Sequence, residues 1–477
     1  MPRRLPLLLA LAIAILLPTA RSASAWAPGE VLVKFKSGVP ARDRAEIESA
    51  SHSTLLTHFE SLGIERLAIP SGSSVEAVVQ SLRSDPRVEF AEPNYETRIA
   101  AVPNDPQFSQ QWSLQNTGQT GGTPGADIHA PLAWDRTIGS QSLLIGVLDT
   151  GVEISHPDLA ANIWVNLPEQ SGGVGIDDDL NGYVDDVHGY DVVNNDGDPS
   201  DFNGHGTHVA GIIAARGSNG TGVVGVCWNA SIVAIRILND RGVGTVAQAI
   251  AGLQYAKAIG VRVANLSWSV EQPSAALLQA LQDAGAAGMV IVAAAGNGGL
   301  NDDVQPYYPA SYRLPYMISV AATDAKDRLA PYSNYGPASV DIAAPGTAIL
   351  STWLSGTYKT LTGTSEAAPI VSGACGLLLA RFPSLANTAV KRAVLHSAET
   401  LPSLTGRVAS GARLDAHLLV LDPDSSPPRV RDRTTCCCAG PRPATTARWD
   451  RPPATTCATR PPRSRPETSP PRPRPRR

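Results

Sequence analysis

Four short stretches of this chain carry residue types that together can break an acyl bond: Asp149 in IGVLDTGV, His205 in NGHGTHVAG, Asn297 in AAAGNGG and Ser365 in LTGTSEAAP. A serine hydroxyl attacks a carbonyl when a base accepts its proton, and a carboxylate behind that base fixes its tautomer and supports the imidazolium that forms. An amide side chain aimed at the carbonyl oxygen, beside the Ser365 N–H, adds about 3 kcal/mol of transition-state stabilisation. Singly, an Asp ending a strand is commonly a helix cap, a His between glycines a turn residue and a Ser before a helix an N-cap. The chemistry lies in the set. One neighbour raises a difficulty: Glu366 follows Ser365 directly, a carboxylate beside a site that must stabilise negative charge.

Such residues need a rigid frame. The runs SLLIGVLD, SIVAIRIL, VRVANLSWS, MVIVAAAG and YMISVAA are short, apolar and β-branched, as buried parallel strands are. Between and after them GTHVAGIIAA, TVAQAIAGLQYAKAIG, PSAALLQALQDAGAAG, SEAAPIVSGACGLLLARF and NTAVKRAVLHSAE have helical periodicity. The alternation predicts an α/β fold with a doubly wound, mostly parallel sheet flanked by helices, its functional residues at the carboxyl ends of strands. Asp149 then ends a central strand, and His205 and Ser365 begin helices. Pro369 is expected within the first turn of its helix, where a missing N–H costs nothing. Upstream, EVLVKFK, SVEAVVQSLRSD and VEFAEPNY read as strand, helix and strand of a small α+β unit.

The chain divides into four parts. Residues 1–25, with two arginines, an apolar run and Ala23 and Ala25, read as a secretory signal peptide. Residues 26–101 form the small α+β domain, residues 102–424 the main domain, and residues 425–477 a Pro- and Arg-rich tail, either disordered or out of frame. From Arg429 onward thirteen arginines face Asp432, Asp450 and Glu467, a net +10 within a total of −4, so the preceding residues carry −14. An acidic folded part argues against a nucleic-acid partner, and no stretch after the signal is long and apolar enough for stable membrane insertion. Cys227 and Cys375 lie in apolar stretches and are expected buried, singly or paired with each other.

The motifs VLDTGV, NGHGTHVAG, AAAGN and GTSEAAP, in the order Asp, His, Ser, resemble those of the subtilisin-like serine proteases, in their thermitase-like secreted branch, over about residues 27 to 420. The resemblance implies a secreted endopeptidase, expected to be a monomer, acting on polypeptides through an acyl-enzyme. Asp149 would orient, His205 serve as base and then acid, Ser365 attack, and Asn297 complete the oxyanion hole. Residues 26–101 would be a propeptide, an intramolecular inhibitor removed by self-cleavage between Tyr95 and Asn104. The peptide-binding edges would be GVGT, with Gly242 and Gly244, and LSWS, with Ser267 and Ser269. Ser269 and Val270 stand where the family commonly has two glycines, which reshapes the pocket before the scissile bond. His208 would be structural; HGTH lacks the HExxH arrangement of a zinc site. The rival reading is a weakly catalytic relative serving as a binding scaffold.

Calcium is the expected structural cofactor. Asp177, Asp179 and Asn181, followed by Gly182, match the opening of an EF-hand loop, although His188 stands where its bidentate Glu belongs and Asp185 or Asp186 would have to close it. By resemblance alone, Asp105, Asp158, Asn219, Thr221 and Val223 form a second site, and Asp191, Asp196 and Asp198 a third. The family usually has Met at position 366. Glu366 is expected either to turn to solvent, with little effect, or to face the cleft and raise the pKa of His205.

Overall fold

The computed structural model describes residues 26–95 and 102–421. The expected signal peptide, the stretch 96–101 and the basic tail lie outside the described residues.

The N-terminal unit comprises β1 Trp26–Phe35, α1 Ala41–Ala50, β2 Thr54–Phe59, β3 Ile64–Ala68, α2 Val75–Ser84 and β4 Val88–Tyr95. Its sheet is antiparallel in the order β2-β3-β1-β4. Alternation in β1 buries Val31, Val33 and Phe35, and the i, i+4, i+7 residues Val75, Val79 and Leu82 of α2 close the core over them. The Ser74 side chain caps α2 by accepting from the Ala77 N–H.

The second unit continues with α3 Ala130–Trp134, β5 Leu144–Asp149, α4 Leu167–Ser171, β6 Gly189–Asp191, α5 His205–Ala214, β7 Ser231–Arg236, α6 Val246–Ala258 and β8 Val263–Leu266. There follow α7 Ala275–Ala286, β9 Val290–Ala294, β10 Met317–Thr323, β11 Ile342–Pro345 and the hairpin β12 Ile349–Trp353 with β13 Thr357–Leu361. The last elements are α8 Thr364–Arg381, α9 Asn387–His396, β14 Glu399–Thr400, β15 Ala412–Arg413 and α10 Ala416–Leu421.

Nine strands form one sheet in the order β14-β15-β11-β10-β9-β8-β5-β7-β6, parallel except for the β14–β15 pair. Each central strand is buried on both faces, which explains its unbroken apolar sequence. One core joins that sheet to α5, α8 and α9; another joins it to α6 and α7. Cys227 and Cys375 lie fully buried and unbridged in the first core, and burial pushes both thiols up to about 12.

Pro369 departs from expectation. The helix begins at Thr364, so Pro369 sits inside it, beyond the first turn. A proline there leaves the carbonyl four residues back without its helical donor. That carbonyl belongs to Ser365, and the Ser267 hydroxyl donates to it at 2.8 Å.

Candidate active site

Asp149 is the last residue of β5 and has no exposed surface. Its Oδ1 accepts the Thr150 N–H at 2.8 Å and His205 Nδ1–H at 2.7 Å. His205 opens α5, and close approach to β5 depends on the next residue: a Cβ on Gly206 would lie 2.1 Å from the Gly151 carbonyl oxygen. Asp201, absent from the sequence-derived set, ties this junction together. Its Oδ1 accepts Thr150 Oγ1–H and the Asn203 and Gly204 N–H groups, while Oδ2 accepts the N–H and hydroxyl of Thr207. Burial alone would lower the His205 pKa, but the Asp149 charge and hydrogen bond, with Glu366 and Asp201 beyond, outweigh it and raise it to about 9.

Ser365 lies in the first turn of α8. Its hydroxyl donates to the Ser267 carbonyl at 3.1 Å, and no hydrogen bond to His205 forms among the described residues. A relay fixes that helix start: Ser372 Oγ donates to Asn265 Oδ1, Asn265 Nδ2 to Ser267 Oγ, and Ser267 Oγ to the Ser365 carbonyl. Asn297 follows β9 through Gly296. Its Oδ1 accepts both the N–H and the hydroxyl of Thr364, at 2.8 and 3.0 Å, which leaves the Nδ2 hydrogens for another acceptor. Thr364, Asn265 and Ser372 were not singled out in the sequence; GTS beside the nucleophile was the available signal for Thr364.

Gly242, Gly244, Ser267 and Ser269 line one cleft of about 490 Å³ with His205, Trp268 and Val270. A second cavity of about 360 Å³ joins Ser267 and Ser269 to Asn297, Ser365, Tyr307 and Glu271. The two expected edges therefore face each other, although as extended segments beyond β7 and β8 rather than as strands of the sheet. Val270 is already bridged on its backbone by Tyr308, its N–H donating at 2.7 Å.

Glu366 turns neither to solvent nor into the open cleft. It is 2% exposed, with Oε1 3.8 Å from Nδ1 of His208. Burial raises its pKa to about 7; the His205 charge opposes the rise and Asp149 adds to it. His208 faces the Ile349 and Lys359 carbonyls with Nε2, at 3.2 and 3.0 Å, and burial lowers its pKa to about 4.

The expected calcium ligands meet different fates. Asp105 and Asp158 are buried near each other, with pKa values raised first by burial. Asp105 Oδ1 has no hydrogen-bond partner, whereas Asp158 accepts from Asn219 Nδ2 and the Val223 N–H. The Asn219 Oδ1 accepts the Thr221 N–H. Asp177 and Asp179 gather with Glu169, which the sequence reading missed because it lies upstream in α4, and Asn181 donates to Asp179 and Asp186. Asp191, Asp196 and Asp198 form no such cluster among the described residues. Asp191 is instead consumed by the buried Arg236 guanidinium and by Val193 and Asn194, while Asp198 accepts from Ser200.

Comparison with known proteins gives the family. The subtilase family model matches residues 140–418, and that of the fervidolysin N-terminal prodomain matches residues 17–94. The chain is 36% identical over 394 residues to a thermophilic serine proteinase of Bacillus sp. (strain AK1), covering 82% of this chain and 87% of that one. It is 39% identical over 320 residues to thermitase of Thermoactinomyces vulgaris, covering 67% of this chain and 99% of the other. A solved protease from Pseudoalteromonas arctica PAMC 21717 shares the fold with a TM-score of 0.55 and 29% identity, over 67% of this chain and 99% of that one. This chain belongs to the subtilase family of serine peptidases, and carries an N-terminal prodomain.

Proposed function

We propose that the protein is a secreted serine endopeptidase that cleaves extracellular polypeptides through an acyl-enzyme on Ser365 and matures by removing its own prodomain. The observation that carries this reading is the 2.7 Å bond from His205 to the buried Asp149, with Ser365 and Asn297 on the wall of the adjoining cavity. In the reaction Ser365 Oγ exchanges its bond to the Ser267 carbonyl for one to His205 Nε2, gives up its proton there and bonds to the substrate carbonyl carbon. Asn297 Nδ2 and the Ser365 N–H receive the oxyanion. Protonated His205 then donates to the leaving amine, and water repeats the sequence on the ester. The substrate backbone lies between residues 242–245 and 267–269.

The N-terminal unit, assigned residues 26–101, serves as intramolecular inhibitor until cut between Tyr95 and Asn104; residues 102–424 are the mature catalytic domain, acting as a monomer. Export rests on the residue pattern of the first 25 positions, and no described helix is long and apolar enough to cross a membrane. Calcium fits the Asp105–Asp158 site, where two buried carboxylates repel each other and Asp105 Oδ1 has no hydrogen-bond partner, with Asn219, Thr221 and Val223 beside them. It also fits Asp177, Asp179 and Glu169, with Asn181 adjacent. The ion would neutralise these clusters and would take no part in catalysis. Replacement Ser365→Ala tests the reading: casein hydrolysis and prodomain removal should both disappear in otherwise folded protein, and persistence of either would overturn it.

A further inference from the structure

Behind the nucleophile lies a buried proton site that the reaction does not consume. Glu366 is one residue from Ser365, and its carboxyl reaches across the helix start: a Cβ on Gly363 would meet its Oε2 at 2.8 Å and Asn297 Nδ2 at 3.2 Å. Its other oxygen faces His208 Nδ1 at 3.8 Å, and that nitrogen is buried without a hydrogen-bond partner. Two carbonyls, of Ile349 and Lys359, receive Nε2, so the proton of neutral His208 sits on Nε2 and Nδ1 presents a lone pair. A lone pair repels a carboxylate and attracts a carboxylic acid. The tautomer of His208 therefore favours Glu366 in its protonated form, a small carboxyl rotation short of donating to Nδ1.

We propose that Glu366 is a positioning residue holding an exchangeable proton: neutral and facing His208, it leaves the triad free to act, and ionised, it retains the proton on His205 and opposes the oxyanion. This rests on His205 being the general base of Ser365. The groups facing Glu366 are His205 and His208 on α5, Asp149 on β5 and Tyr332 in the β10–β11 connection, with Lys359 of β13 beyond His208 and Asp201 beyond His205. Lys359 carries a fixed positive charge beyond His208, whereas the cation that gains and loses its proton beside Glu366 is His205, so Glu366 and His205 titrate as a pair. Burial brings Glu366 to about 7, inside the range where such an enzyme works.

The test is the pH profile of kcat/KM on a chromogenic peptide for the mature enzyme and its Glu366→Gln variant, which keeps shape and removes the ionisation. In the parent the acid limb should spread over two ionisations. In the variant it should collapse to one, with its midpoint lower by about one pH unit and a higher alkaline plateau. Should the variant fold poorly, the downfield proton resonance of His205 Nδ1–H in the parent enzyme supplies the answer, with two inflections expected against pH. A single inflection, or superimposable profiles, overturns the proposal. Superimposable profiles with an inert Ser365→Ala would leave the peptidase mechanism standing; an active Ser365→Ala would overturn both.

Discussion

The proposed oxyanion donor shows how one residue's role depends on what its other end does. Asn297 gives both acceptor positions of Oδ1 to Thr364, which orients the amide and keeps Nδ2 for the developing charge. Asn297→Ala should lower kcat about 100- to 1,000-fold with KM little changed, while the Thr364 donors it strands cost roughly 1–3 kcal/mol of stability. A loss of stability without that fall in kcat would make Asn297 a scaffold residue instead. Glu366 illustrates the converse. Its type was legible as an anomaly beside Ser365, but its fate depended on His208 and Asn297, which are distant in sequence and set beside it only by folding. Asn265, Ser372 and Asp201 were unreadable for the same reason: a small polar residue acquires its partner through long-range packing and carries no periodic signal.

At the scale of elements, the five apolar strands and five helices were plain in the sequence because burial on both sheet faces leaves uninterrupted β-branched runs, and helix faces repeat every 3.6 residues. The hairpin of β12 and β13 escaped, since its strands mix polar with apolar residues and β13 is largely exposed. The two-residue strands β14 and β15 are too short for any pattern to show. Pro369 was placed one turn too early, and the structure supplies the compensation that sequence alone could not, the Ser267 hydroxyl on the orphaned carbonyl. The junction of β5 with α5 is a tight contact. Gly206→Ala drives a methyl group into backbone at Gly151, so it should cost roughly 1–3 kcal/mol of stability and displace His205. Calorimetry together with peptidase assays would check this, and unchanged activity would show that the helix can retreat without cost.

For the whole molecule, the proposed calcium sites and one buried clasp bear on how long the fold survives. Asp105 precedes the first turn of the second unit, whereas Asp158 and Asn219 belong to loops well inside it, so an ion among them would link the start of the unit to its body. Chelation should remove roughly 3 kcal/mol if calcium stood a hundredfold above its dissociation constant, lowering Tm, and Asp105→Asn should blunt that response. Scanning calorimetry with and without chelator measures it; identical curves would sink the calcium assignment.

A second tie joins the two ends of the catalytic unit. Arg413 is wholly buried against Asp327 and Glu399 and reaches the Gly125 carbonyl, His129 meets Asp415 at 3.0 Å, and the Ala416 N–H donates to the Ile128 carbonyl. Because β15 also joins the main sheet between β11 and β14, a chain halted on the ribosome before Ala412 possesses Asp149, His205 and Ser365 yet lacks the strap that holds its first and last segments together. Synthesis proceeds from the N-terminus and domains consolidate as units. The order of manufacture puts Ser365 on the chain nearly fifty residues before Ala412, so the two ends of the unit can be tied only once Arg413 has followed it.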